Sequence, residues 1–353
     1  MKKAYLFREA ILTTRGDLPI PVKVTIRGGN PIWAGRDKMA NLLVCVGITY
    51  VLSFAYLYWR CRDHLPLSYY LSNHVLLLSP LNFVFTFFSR GAGRKPVHAP
   101  SIIPGLKLVK QNFTGIRAEA KKLLDAGIFQ RPPAVDQPGY NSFEKGGWRQ
   151  YPIKWYSPSC RESAVGACPQ TCSVLEQIPA IRSAMFVLLP PGGRIGRHHD
   201  PLATSLRYHI GLVTPNSEKC ALTLDGQEHP WHDGEELLFD QTFLHKALNQ
   251  TDQPRVILFC DVENPNLPWG VKHLANVVNS LVMARMTGTN DRGKLSWLSA
   301  LYRPIYQVRK VVKEKVRRRS KFLYNVIKFS AIGAGLLLVV GTLQLINATL
   351  FGR

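Results

Sequence analysis

Between residues 184 and 262 the chain repeats one pattern: a short apolar or alternating run, then a turn. Residues 185–189 stop at Pro190-Pro191-Gly192-Gly193, and 206–212 alternate Leu-Arg-Tyr-His-Ile-Gly-Leu. Residues 221–224 lead into Asp225-Gly226, a two-residue hairpin signal, and the runs 236–239 and 255–262 complete the set. Several short runs at this spacing, with Asp-Gly and Pro-Gly punctuation, predict a mainly β fold, a double-sheet barrel or jelly roll. Around it, residues 115–126 read as a helix closed by Gly127, 148–155 as a first strand, and 270–321 as helical.

Outside this core the apolar residues are concentrated in runs. Residues 39–59 carry no charge and are bounded by Lys38 and Arg60, which is long enough for a transmembrane helix. Residues 329–351 give a second uncharged run and a second expected span. The run 75–89 holds Pro80 and Asn82 and is too short to cross, so it is expected to be interfacial or re-entrant. Residues 1–38 form a basic extension, with Met39 as the expected start of the native chain. The soluble part is placed at 100–270, and the stretch 271–321 is expected to be a helical basic juxtamembrane region.

Charge decides what such an arrangement meets. Lys and Arg number 45 against 23 Asp and Glu, a formal net charge of +22. Much of it lies at Arg309, Lys310, Lys313, Lys315, Arg317, Arg318, Arg319 and Lys321, directly before the second expected span. That placement predicts attraction to anionic membrane headgroups rather than nucleic acid, for which no recognition motif is present. The expected address is a cytoplasmic membrane, multi-pass, with the soluble domain on the cytosolic side. The seven cysteines are irregularly spaced and imply no disulfide framework; Cys160, Cys168 and Cys172 could form a zinc corner, but no paired CxxC supports it.

The chemistry is expected between Arg197 and Arg255. His198 and Asp200 stand two apart, so in an extended segment both side chains reach one ion while His199 points away. His245, just beyond the 236–239 strand, is the candidate third ligand. Two histidines and one carboxylate suit non-haem Fe(II) chemistry, and the same donors could hold a hydrolytic zinc. Arg255 shifts the balance, because a 2-oxoglutarate-dependent oxygenase must bind the far carboxylate of a dianionic cosubstrate and a zinc hydrolase need not. Arg207 and His209 share one face of the 206–212 strand and are further candidate anion contacts.

The combination Leu206-Arg207-Tyr208-His209 through Pro215, Trp231-His232-Asp233-Gly234, Phe239-Asp240, His245 and Arg255 to Val262 resembles the aspartyl/asparaginyl β-hydroxylase family. Within it, the two expected spans, the Ser79-Pro80-Leu81-Asn82 segment and His-x-Asp-Pro at 198–201 are similar to the membrane-bound bacterial branch that hydroxylates lipid A. The resemblance implies a double-stranded β-helix, jelly-roll or cupin-like oxygenase core with flanking helices. It implies a metal site at His198, Asp200 and His245, 2-oxoglutarate contacts from Arg207, His209 and Arg255, and use of Fe(II), 2-oxoglutarate and O2. It also implies hydroxylation at C-2 of a secondary acyl chain of lipid A, with protein aspartyl or asparaginyl side chains as the alternative substrate. Val187 stands where the peptide hydroxylases carry a serine for the cosubstrate.

Overall fold

The structure, a computed structural model, describes residues 32–71, 73–90, 94–130 and 146–285, with scattered positions between 300 and 330; side chains are described from residue 41 onward, 42 and 43 excepted. Its helices are α1 (Ile32–Trp59), α2 (Leu67–Tyr70), α3 (His74–Leu77), α4 (Ser79–Phe87), α5 (Leu106–Gln111), α6 (Phe113–Asp125), α7 (Glu162–Ala167), α8 (Pro169–Glu176) and α9 (Trp269–Leu281). Its strands are β1 (Val97–His98), β2 (Arg149–Trp155), β3 (Ile181–Leu189), β4 (Arg194–His198), β5 (Ser205–Val213), β6 (Ser217–Leu224), β7 (Gln227–Trp231), β8 (Glu236–Phe239), β9 (His245–Asn249) and β10 (Arg255–Glu263). The chain divides into two compact units at Thr49/Tyr50. In the first, Thr49 Oγ1 donates to the Cys45 carbonyl one helical turn back, at 2.8 Å.

The strands form two separate sheets, one of six strands in the order β1-β8-β5-β10-β3-β2 and one of four in the order β4-β9-β6-β7. Strand alternation explains how the larger sheet is sandwiched. On β5, Leu206, Tyr208, Ile210 and Leu212 face one side, joined by Val256, Leu258, Cys260 and Val262 of β10 and by Ala184, Phe186 and Leu188 of β3. This apolar face is covered by Leu106 and Val109 of α5, Ile116, Ala120 and Leu123 of α6, and Val174 and Leu175 of α8. The opposite face carries Met185, Val187, Leu189, Ile257 and Phe259, which pack with Cys220, Leu222 and Ala247 of the smaller sheet. Both faces of β3, β5 and β10 are therefore buried, and burial of about 25 cal/mol per Å2 of apolar surface holds the layers together.

Two sequence expectations are corrected here. The fold is mixed α/β with two separate sheets, neither closed into a barrel, rather than a mainly β double-stranded β-helix. The physical reason is the second apolar face of the six-stranded sheet, which helices rather than further strands cover. Among the described residues no helix is long and apolar enough to cross a membrane, which overturns the expected transmembrane helix at 39–59 and the multi-pass membrane location. From Tyr50 onward α1 is engaged with protein instead. Tyr56 packs edge-on against Phe83 and Phe87, Phe54 against Tyr70, and Ser53 Oγ lies 3.3 Å from Ser79 Oγ. The expected span at 329–351 lies outside the described residues, apart from Ser330, as does most of the extension 1–38.

The 75–89 segment forms α3 and α4, and α4 docks on the core. Asn82 donates to the Pro201 carbonyl and accepts from Ala203 N–H, both at 2.9 Å, while Phe85 is buried with Ala203, Leu267 and Ala275. The helix expected at 115–126 is α6, and Gly127 ends it at φ +66°. Asp225 and Gly226 both take positive φ, as the β6–β7 hairpin turn requires.

Candidate active site

His198 ends β4 and His245 begins β9, and the two are directly paired in the antiparallel register of the smaller sheet. Their rings lie 4.2 Å apart between centroids. Asp200 follows β4 and is fixed by its own N–H, which donates to the Gln241 carbonyl at 3.1 Å. Candidate ligand atoms of His198, Asp200 and His245 lie within 4.8 Å of one another, the one such group found among the described residues. Cys160, Cys168 and Cys172 make no comparable group; all are free thiols.

Backbone carbonyls set the tautomers. His198 Nδ1 lies 2.8 Å from the Gly196 carbonyl, and His245 Nδ1 lies 2.9 Å from that of Phe243. A carbonyl only accepts, so each Nδ1 carries the proton and each Nε2 presents a lone pair, the state a metal ligand needs. Burial pushes both histidines down, His245 to about 3 with His198 as the second cause. Burial would raise Asp200, but the Arg207 guanidinium and the two histidines hold it at about 2. At neutral pH the three donors are two neutral imidazoles and one carboxylate. This is the two-histidine, one-carboxylate facial triad typical of Fe(II)/2-oxoglutarate-dependent dioxygenases, and its donor set fits that cofactor requirement.

Beside the triad a cleft runs between the sheets, lined among others by His198, His245, Arg207, His209, Arg255 and Val187. All the sequence candidates are thus brought together, with different surroundings. Arg255 is 2% exposed, its Nε meets no hydrogen-bond partner among the described residues, and its guanidinium carbon lies 5.2 Å from the Trp231 ring centroid. Burial lowers it to about 10, with the Cys220 thiol opposing. His209 is buried between Trp231, Phe239 and Phe259 with neither ring nitrogen partnered among the described residues, and burial holds it well below its ordinary range. Trp231 Nε1 is likewise buried and unpartnered among them. Unmet buried donors cost roughly 1–3 kcal/mol each, more when charged, so this end of the cleft suits an anionic ligand.

Arg207 is differently occupied. Its Nε and one terminal nitrogen donate to Asp261 Oδ1 at 3.1 and 2.9 Å, and the other terminal nitrogen donates to Asp200 Oδ2. Asp261 is fully buried and accepts from Ser183 Oγ at 2.8 Å. Sequence reasoning missed Asp261, Ser183 and Trp231. The available signal for Asp261 was spacing: it lies an even number of residues from Arg255 on an otherwise apolar strand, so the two share a face.

Comparison with known proteins agrees with this geometry. Residues 110–265 match the model of the Aspartyl/Asparaginyl beta-hydroxylase family. The chain is similar to that family. It is 30% identical to the ornithine lipid ester-linked acyl 2-hydroxylase of Rhizobium tropici over 196 residues, 54% of this chain and 66% of that protein. It is 30% identical to the human aspartyl/asparaginyl beta-hydroxylase over 169 residues, 46% of this chain and 21% of that protein. Mouse aspartate beta-hydroxylase domain-containing protein 2 is 30% identical over 191 residues, 51% of each chain. The chain thus spans two thirds or less of these relatives. Among solved structures, a Pseudomonas putida prolyl-4-hydroxylase aligns with 51% of this chain and 99% of its own at 16% identity and a TM-score of 0.33, too distant to carry an argument. The similarity supports the family; it does not reach the lipid A branch.

Proposed function

We propose that this chain is a hydroxylase that uses Fe(II), 2-oxoglutarate and O2 to oxidise an unactivated C–H bond of an aspartyl or asparaginyl side chain in a protein substrate. The observation that carries the cosubstrate assignment is Arg255, a buried cation without an anion among the described residues, in the same cleft as the triad. His198, Asp200 and His245 would hold the iron, while Arg255 would bind the far carboxylate of 2-oxoglutarate, with His209 beside it. Iron, cosubstrate and O2 together supply the oxidising power, and 2-oxoglutarate leaves as succinate and CO2.

The residues then have separable tasks. The aromatic lining of Phe239 and Phe259 keeps water from the reacting end of the cleft and strengthens the Arg255 field there. The Nδ1–H bonds to Gly196 and Phe243 hold the two imidazoles in the ligating tautomer. Val187 offers no hydroxyl, so Arg255 bears more of the cosubstrate's recognition than in a site with a serine at this place. The protein-substrate reading draws on the relatives from human and mouse that are named aspartyl/asparaginyl beta-hydroxylase.

A second reading has its own observation. The Rhizobium tropici relative is named an acyl 2-hydroxylase of a lipid, and Asp200 also lines a cleft walled by Phe54, Leu57, Tyr58, Tyr70 and Val75. An acyl chain, that of lipid A among them, suits such a wall. Succinate release separates the two. Purified chain with Fe(II) and 2-oxoglutarate is offered peptides containing Asp and Asn, or dispersed acylated lipid, and products are read by mass. A gain of one oxygen on Asp or Asn supports the first reading; a gain on an acyl chain alone replaces it with the second. Succinate formation in neither case, with Fe(II) bound, refutes both.

A further inference from the structure

The triad's carboxylate is held by a buried ionic chain that no ligand role accounts for. Ser183, Asp261 and Arg207 are cross-strand partners on β3, β10 and β5, so three neighbouring strands place their side chains in one row on the inner face of the large sheet. Asp261 Oδ1 takes two N–H groups of Arg207, at 3.1 and 2.9 Å. Its Oδ2 takes the hydroxyls of Ser183 at 2.8 Å and Tyr156 at 3.4 Å. A carboxylate saturated on both oxygens has one orientation, and the planar guanidinium it grips inherits that orientation. The remaining terminal nitrogen of Arg207 then meets Asp200 Oδ2, while Asp200 Oδ1 faces His198 Nε2 at 3.5 Å.

Resting on the metal-site reading above, we propose that Asp261 and Arg207 are positioning residues for the metal centre: they cap Oδ2 of Asp200 and leave Oδ1 as the single carboxylate donor. Charge gives the second half of the reasoning. Arg207 alone would neutralise Asp200 and place a cation beside a site meant for a divalent cation. Asp261 cancels Arg207, so two neutral imidazoles, Asp200, Arg207 and Asp261 together carry one negative charge. Removing Asp261 would leave Asp200 neutralised by Arg207, with no net negative charge to offset the ion. Arg207 therefore serves Asp200, and recognition of the cosubstrate's far carboxylate falls to Arg255, whose guanidinium meets no carboxylate among the described residues.

Full-length protein, stripped of metal, is titrated with Co(II), whose visible absorption reports ligand number and geometry without oxygen chemistry; 2-oxoglutarate is then titrated into the loaded protein. The expected result for Asp261→Asn and Arg207→Met is Co(II) affinity lower by about 10–100-fold with an altered spectrum. The double variant should lose little more than either alone, because both act through one carboxylate. Among proteins that still load, Arg255→Met should weaken 2-oxoglutarate more than Arg207→Met does. If Asp261→Asn fails to fold, Ser183→Ala decides, since it removes one hydrogen bond and keeps every charge: a several-fold weaker Co(II) site with a shifted spectrum supports the proposal. Folded variants with wild-type Co(II) affinity and spectrum overturn the proposal alone. A wild-type chain that binds no Co(II) overturns the metal-site reading beneath it as well.

Discussion

Arg255→Met separates two effects that act in opposite directions. Burial lowers the arginine from 12.5 to about 10. At about 1.36 kcal/mol per pKa unit, this is a cost of roughly 3 kcal/mol for keeping the cation folded at neutral pH. Both folded and unfolded arginine are protonated there, so the full cost applies. Methionine removes the charge and keeps much of the volume, so the cosubstrate-free protein should become more stable by about 1–3 kcal/mol after a small packing loss. Cosubstrate binding should move the other way. Losing a buried charge partner costs about 2–4 kcal/mol, a roughly 30- to 1,000-fold weaker complex. At 100 times the wild-type Kd, wild type gains about 2.7 kcal/mol from 2-oxoglutarate, while the variant should gain less than about 1 kcal/mol. Urea unfolding of Co(II)-loaded protein with and without 2-oxoglutarate reads both quantities. A variant that is less stable without cosubstrate yet retains the full 2-oxoglutarate gain would refute the assignment of Arg255 as an anion receptor.

Other perturbations follow from the same geometry. Gly211→Ala would place a Cβ 2.2 Å from the His232 carbonyl oxygen, a backbone clash, and should destabilise by roughly 1–3 kcal/mol in urea; an unchanged midpoint would show that the end of β5 shifts freely. Asn82→Ala removes both bonds that tie α4 to Pro201 and Ala203, next to Asp200, and should cost about 1–3 kcal/mol and loosen Co(II); unaltered metal affinity would show that α4 does not brace the triad. In metal-free protein, burial lowers His199 to about 4 and His245 to about 3. Their folded pKa values lie below the unfolded value near 6.5, so stability is full above about pH 6.5 and falls as pH drops toward 4, by roughly 3 kcal/mol per histidine. Urea midpoints measured from pH 7 to 4.5 should decline, less steeply in His199→Asn; the same slope in that variant would contradict the assignment.

The six-stranded sheet was legible where alternation met turn chemistry. Leu206, Tyr208 and Ile210 do face away from Arg207 and His209, and Arg255 shares the inner face with Ile257 and Phe259. Asp225-Gly226 announced its hairpin. Less legible was β4, whose residues Arg194–His198 are mostly exposed and follow no alternation, so the pairing of His198 with His245 could not be read from the chain. The α/β character was hidden for a related reason. Helices α7 and α8 are six and eight residues long, and periodicity is weak over so few turns. An uncharged run such as 39–59 looks the same whether it meets lipid or protein, and only its tertiary partners, Phe83, Phe87 and Tyr70, distinguish the cases from Tyr50 onward. His198 and Asp200 were visible as His-x-Asp, because that spacing is a local property, and His245 only as a candidate just beyond the 236–239 strand. The triad's ionic support was not visible, because Ser183, Asp261 and Arg207 meet only through strand register.

The most direct test is succinate formation from 2-oxoglutarate by Fe(II)-loaded protein on admitting O2, run beside His245→Ala. The expected result is succinate in wild type only when Fe(II), 2-oxoglutarate and O2 are all present, and none above background in the variant. Equal succinate from His245→Ala, with matched protein and iron, would contradict the metal site at His198, Asp200 and His245.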